Sequence, residues 1–70
     1  MKEVPLTSTA LLGYTYDPDC QLLWIHFRTG QRYLYESVPQ YVIDEFLNAP
    51  SQGQYFNAAI RGRYSYQVLS

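Results

Sequence analysis

Aromatic and basic side chains are concentrated in the segment from Trp24 to Tyr35. If residues 23–35 fold as a hairpin with a two-residue turn at Thr29 and Gly30, their side chains separate onto two faces. One face then carries an aliphatic set, consisting of Leu23, Ile25, Phe27 and Leu34. The other carries an aromatic set with one arginine near the turn, consisting of Trp24, His26, Tyr33, Tyr35 and Arg28. Aromatic rings stack on unpaired bases and arginines bind phosphates, so the aromatic face and Arg32 beside it are candidates for nucleic-acid binding.

Two other interpretations of the aromatic face stay open at this point. The rings could pack beneath the C-terminal segment or against the first strand and form a second small core, as large rings do in small domains. They could also form a surface for a protein partner or for a second copy of the chain. The exposure of Trp24, Tyr33 and Tyr35 separates these interpretations.

The sequence contains few residues that could form a catalytic or metal site. His26 is the only histidine, and its expected neighbours include no nucleophile and no orienting carboxylate. Cys20 is the only cysteine, and a carboxylate beside it at Asp19 raises rather than lowers the pKa of a thiol. One histidine and one distant cysteine do not make a zinc site. We therefore expect a protein without catalytic residues, metal or cofactor.

Size and composition point to one small globular domain. The chain has 70 residues, of which 47% are hydrophobic, 17% aromatic and 16% charged, with a net charge of −1. Such a charge provides no general attraction to nucleic acids or membranes. Arg28 and Arg32 nevertheless form one basic pair in the sequence, and Arg61 and Arg63 form a second that could lie beside it in a single patch. No apolar run approaches the roughly 20 residues that span a bilayer. With a lone cysteine and no apolar leader, we expect a cytoplasmic protein without membrane contact.

The order of the predicted elements defines the fold class. Residues 1–7 are expected to form a flexible tail, and residues 8–70 a single domain. Strands are predicted over residues 10–16, 22–28 and 32–36, followed by a helix that starts at Ser37 to Pro39 and ends before Pro50. Ser51 caps a second helix that stops at Gly62, and residues 63–69 are either a loop or a fourth strand. The prediction is an α+β fold, in which a three-stranded antiparallel meander is followed by two helices packed on its aliphatic face.

The joint spacing of many short motifs resembles a known family. The matching residues are Ser8, Tyr16-Asp17, Leu23-x-Ile25-x-Phe27, Gly30, Tyr33-x-Tyr35, Val38-Pro39, Ala49-x-Ser51-x-Gly53, Tyr55-Phe56-Asn57, Ile60 and Tyr64. This pattern resembles the KTSC domain, a short module at the C-terminus of some lysyl-tRNA synthetases that also occurs alone in bacteria and phages. The resemblance implies a small domain of an uncharacterised family, for which the link to tRNA synthetases suggests RNA as the partner.

Together these observations predict a small non-catalytic binding module whose partner is RNA. The candidate RNA-binding residues are Trp24, His26, Arg28, Arg32, Tyr33, Tyr35, Arg61 and Arg63. The alternative is a module for protein interaction or homodimerisation that uses the same aromatic face or an open strand edge.

Overall fold

Five antiparallel strands form a single sheet in which neighbouring strands follow one another along the chain. The computed structural model describes all residues 1–70. The strands are β1 (Val4–Pro5), β2 (Leu11–Asp17), β3 (Leu22–Phe27), β4 (Arg32–Tyr35) and β5 (Tyr66–Val68). Between β4 and β5 lie α1 (Gln40–Asn48) and α2 (Gln52–Tyr55), and α2 continues into a π-helical turn (Phe56–Ile60). The predicted α+β class is confirmed, with five strands rather than three or four.

The helices cover one face of the sheet and build the core there. The buried apolar side chains are Leu6, Leu11, Leu23, Ile25, Tyr35, Val38, Val42, Ile43, Phe46, Phe56 and Ile60. We call the face with Leu23 and Ile25 the covered face. The opposite side, defined by Gly13, Thr15, Trp24, His26, Arg32 and Leu34, is the open face, because no helix packs on it.

The hairpin between β3 and β4 has a register one residue away from the predicted one. Its loop has three residues, Arg28 to Gly30, because the Phe27 N–H donates to the Gln31 carbonyl at 2.8 Å. Gly30 adopts a φ of +97°, which suits the left-handed end of a three-residue hairpin loop. The observed pairs are Leu23 with Tyr35, Trp24 with Leu34, Ile25 with Tyr33, and His26 with Arg32. The predicted pairing is therefore wrong by one residue, which exchanges the two faces of β4 relative to β3.

The N-terminal residues, predicted to form a flexible tail, instead form an edge strand. Val4 pairs with Tyr14 and Pro5 with Gly13 across β1 and β2. Pro5 is tolerated because an edge strand can leave the position of its missing N–H unpaired. Leu6 follows and is only 7% exposed, so burial of an apolar side chain ties this segment to the core.

Local signals place the helix ends close to the predicted positions. Pro39 immediately precedes α1, and Ala49 after it has extended backbone, as expected for a residue before Pro50. The Ser51 hydroxyl accepts a hydrogen bond from the Gln54 N–H at 3.3 Å, which confirms the predicted cap. Gly62 has a φ of +76° just after the π-helical turn and ends the helical segment. None of the helices combines the length and the hydropathy that a membrane-spanning helix requires.

Candidate functional site

The open face presents two neighbouring rows of side chains that run across the strands. One row joins Gly13, His26 and Arg32 on β2, β3 and β4. The next row joins Thr15, Trp24 and Leu34 on the same strands, and Gln67 extends it on β5. Successive positions on one face of a strand are about 7 Å apart, so the two rows lie within the length of one nucleotide.

A shallow cavity of about 440 Å³ lies over these rows. Its lining includes Glu3, Thr15, Trp24, His26, Arg32 and Leu69. Trp24 is half-buried and lies apart from the core cluster. The indole is therefore held against the sheet while part of it faces solvent, as a stacking platform requires.

Two arginines predicted to bind phosphates have different surroundings. The Arg28 guanidinium donates from Nε to the Ser8 carbonyl at 2.9 Å and from Nη2 to the Leu6 carbonyl at 3.2 Å. The Arg32 side chain is exposed and forms no hydrogen bond or ion pair within the protein. Arg32 is thus available to a ligand, whereas Arg28 holds the N-terminal segment against the sheet.

We expect Arg28→Gln to lower the free energy of unfolding by about 1–2 kcal/mol, because two carbonyls lose a charged donor. Urea unfolding followed by circular dichroism measures this change. Arg63→Gln is the matched control, since Arg63 donates no side-chain hydrogen bond, and it should be close to neutral. Equal midpoints for the two variants would show that the Arg28 contacts contribute nothing to stability.

Tyr33 and Tyr35 do not share a face with Trp24, which corrects the predicted aromatic platform. Tyr35 is 2% exposed and packs edge-on against Phe56 at a centroid distance of 5.5 Å. Tyr33 is half-buried and stacks on Tyr66 with centroids 5.5 Å apart. Burial raises the pKa of the Tyr35 hydroxyl, and the charge of Arg61 partly offsets this rise. The one-residue change in register sends both tyrosines to the covered face and brings Leu34 beside Trp24.

Arg61 and Arg63 lie on the helix side of the molecule and do not join Arg32. Arg61 is close enough to Tyr35 to lower its pKa. Arg63 lines a cavity of about 500 Å³ with Tyr41, Tyr55 and Tyr64, residues of the helical segments and the loop after them. The predicted possibility that all four arginines form one basic patch is therefore not realised.

His26 and Cys20, the two candidates for reactive chemistry, have carboxylate neighbours. The Nδ1 atom of His26 lies 3.0 Å from Oε1 of Glu3, so Nδ1 carries the proton that the carboxylate accepts. The negative charge of Asp17 is the main cause that raises the pKa of the exposed Cys20 thiol, and Asp19 adds to it. Nowhere do three His, Cys, Asp or Glu side chains come together as a metal site.

Sequence reasoning missed Glu3, Gly13, Thr15 and Leu34 as parts of the open face. Gly30 could have revealed Leu34, because a glycine is typical of the last position of a three-residue hairpin loop, and such a loop gives the observed register. The contact between Glu3 and His26 spans 23 residues of sequence and has no local signal.

Comparison with known proteins identifies the family. The model of the KTSC domain matches residues 7–64. The chain belongs to the KTSC family. A crystal structure of a KTSC domain protein from Yersinia pestis superimposes with a TM-score of 0.94 at 32% sequence identity, covering 99% of this chain and 97% of that one.

Curated relatives of this KTSC domain include both large and small proteins. It is 46% identical over 58 residues to a lysine–tRNA ligase of Nostoc sp., and it spans 10% of that ligase's length. It is also 39% identical over 64 residues to an uncharacterized protein of Stutzerimonas stutzeri, of which it covers 90%. The KTSC domain is therefore a small module found in some lysine–tRNA ligases and in short proteins of similar length. The residues that carried the resemblance in the sequence include Tyr33-x-Tyr35, which in this KTSC domain lies on the covered face.

Proposed function

We propose that this KTSC domain is a non-catalytic module that binds single-stranded RNA on its open face. The observation that carries the proposal is the half-buried Trp24 ring beside the unpaired Arg32 guanidinium, on the sheet face that no helix covers. In the RNA-recognition motif, a sheet with helices on one side presents its other side to unstacked bases.

Trp24 supplies the stacking contact in this proposal. Its ring is flanked by Thr15 and Leu34 on the neighbouring strands, which limit its movement and leave part of it accessible. A base stacked on such a ring contributes about 1–3 kcal/mol to binding. Because Tyr33 and Tyr35 face the helices, this face offers one aromatic platform rather than three.

Arg32 supplies the phosphate contact. It lies diagonally across from Trp24, in the next row of the same face, so one nucleotide can reach both side chains. The net charge of −1 adds no long-range attraction, so binding depends on this local contact and weakens with salt. The relation to ligases named for tRNA supports RNA as the class of partner.

Trp24 is the only tryptophan, so its fluorescence reports binding directly. We expect an oligouridylate to quench the emission at low salt, with an affinity that falls as salt rises. Arg32→Gln should reduce the slope of log affinity against log salt by about 0.7, the value for one contact to a single strand. Arg63→Gln, on the helix side, should keep the original slope. Unchanged emission at saturating oligonucleotide, or equal slopes for both variants, would contradict the proposal.

Self-association is the second candidate, and the free edge of β5 favours it. Tyr66 and Val68 on this edge are 54% and 55% exposed, and no proline or charged residue interrupts the strand. The opposite edge carries Pro5, which disfavours pairing there. Sedimentation velocity at the titration concentrations distinguishes the candidates, because pairing of β5 edges gives a mass that rises with concentration.

A further inference from the structure

The Glu3 carboxyl group lies in a hollow of the open face that exists because residue 13 is glycine. A Cβ atom at Gly13 would come within 2.8 Å of both Cγ and Oε2 of Glu3. Any larger residue at this position would therefore push the carboxylate out. Gly13, which lies beneath the carboxylate, is directly paired with His26, which lies beside it.

His26 provides a hydrogen-bond donor at one side of the hollow. Both carboxylate oxygens of Glu3 lie near Nδ1 of His26, at 3.0 and 3.2 Å. Arg32 is the next residue in the row, and its charge is not neutralised by any partner in the protein. The hollow is thus a site for an oxygen anion, formed by the His26 imidazole, the nearby Arg32 guanidinium and the space above Gly13. In this structure the Glu3 carboxylate occupies it.

We propose that this hollow is a phosphate-binding site and that Glu3 is a resident carboxylate that a phosphate displaces. The assignment of RNA as the source of the phosphate rests on the function proposed above. The phosphate chemistry itself rests on Gly13, His26 and Arg32 alone. Glu3 thereby weakens RNA binding until a phosphate takes its place.

The exchange is reversible at modest cost. The Glu3 side chain is 40% exposed while it contacts His26, so it can return to water without a large rearrangement. A contact between one imidazole N–H and a carboxylate that is 40% exposed contributes little, which lets a phosphate compete.

We expect Glu3→Gln to bind oligouridylate about twofold to fivefold more tightly than the original protein, as expected from removing one exposed ionic competitor. Glutamine can still accept a hydrogen bond from His26, so β1 should stay in place. Asp19→Asn is the matched control, because it makes the same charge change in an exposed turn on the β2–β3 loop. It should leave the affinity unchanged within error.

Inorganic phosphate tests the hollow independently of RNA. Titrated into the original protein and into Glu3→Gln, it should shift the ring resonances of His26, and at lower concentration in the variant. In Glu3→Gln combined with Gly13→Ala, the added methyl group should abolish the shift by filling the hollow.

The outcomes separate this inference from the proposed function. No His26 shift with phosphate in either protein, or equal gains in affinity for Glu3→Gln and Asp19→Asn, would overturn the phosphate site while leaving stacking on Trp24 intact. A phosphate shift at His26 without any binding of oligouridylate would support the anion site and refute the RNA proposal.

Discussion

Replacing Tyr35 with alanine is expected to lower the free energy of unfolding by about 3–5 kcal/mol, as for other large aromatic side chains removed from a core. The Tyr35 ring is 2% exposed and packs against Phe56 and Tyr66, at centroid distances of 5.5 and 5.7 Å. The total free energy of unfolding of a small domain is only about 5–15 kcal/mol, so the variant should lose a large fraction of its stability. Urea unfolding followed by circular dichroism gives the change.

Two control variants distinguish the contribution of the Tyr35 ring to stability from that of its hydroxyl and from the general effect of losing a tyrosine. Tyr35→Phe should change stability by less than about 1 kcal/mol, because the hydroxyl keeps contact with solvent and makes no hydrogen bond within the protein. Tyr41→Ala removes a ring that is 61% exposed on α1 and should be nearly neutral. If Tyr35→Ala matched Tyr41→Ala, the assignment of Tyr35 to the core would be wrong.

Replacing Trp24 with alanine should weaken binding of oligouridylate by about fivefold to 150-fold, which corresponds to the loss of one base stack. The domain should remain folded, because Trp24 lies on the open face outside the core cluster. Since the variant lacks tryptophan fluorescence, binding is followed by NMR shifts of the backbone amides on β2, β3 and β4.

Trp24→Phe is the matched variant for this experiment. Phenylalanine keeps a stacking surface, so the variant should retain most of the affinity and show the same set of shifted amides. Full affinity in Trp24→Ala would show that Trp24 does not stack on a base, which would contradict the RNA proposal. Loss of the fold in Trp24→Ala would make the ring a structural element instead.

The order of β2, β3, β4 and the two helical segments was predictable from local sequence. Proline fixes its own φ and restricts the residue before it, so Pro39 and Pro50 bracket α1 regardless of the rest of the chain. The Ser51 cap and the left-handed Gly62 act within one helical turn. Apolar spacing in the helices then required them to pack on a single face of the sheet.

The membership of the open face was predictable only in part. Trp24 and His26 were expected to share one face of β3, and they do, because alternation along a single strand is a local property. Which residues of β4 accompany them depends on the loop length. One extra loop residue placed Leu34 and Arg32 there and sent Tyr33 and Tyr35 to the helices.

By itself, then, the sequence determined the type of each central element, the helix boundaries and the one-sided arrangement of helices, because these follow from interactions over a few residues. The tertiary structure alone decided the β3–β4 register, the docking of β1 and the position of Glu3 against Gly13 and His26. These features depend on pairing between distant segments. Their free energy comes from burying Leu6 and Tyr35 and from contacts between strands, and neither contribution is visible in a local pattern.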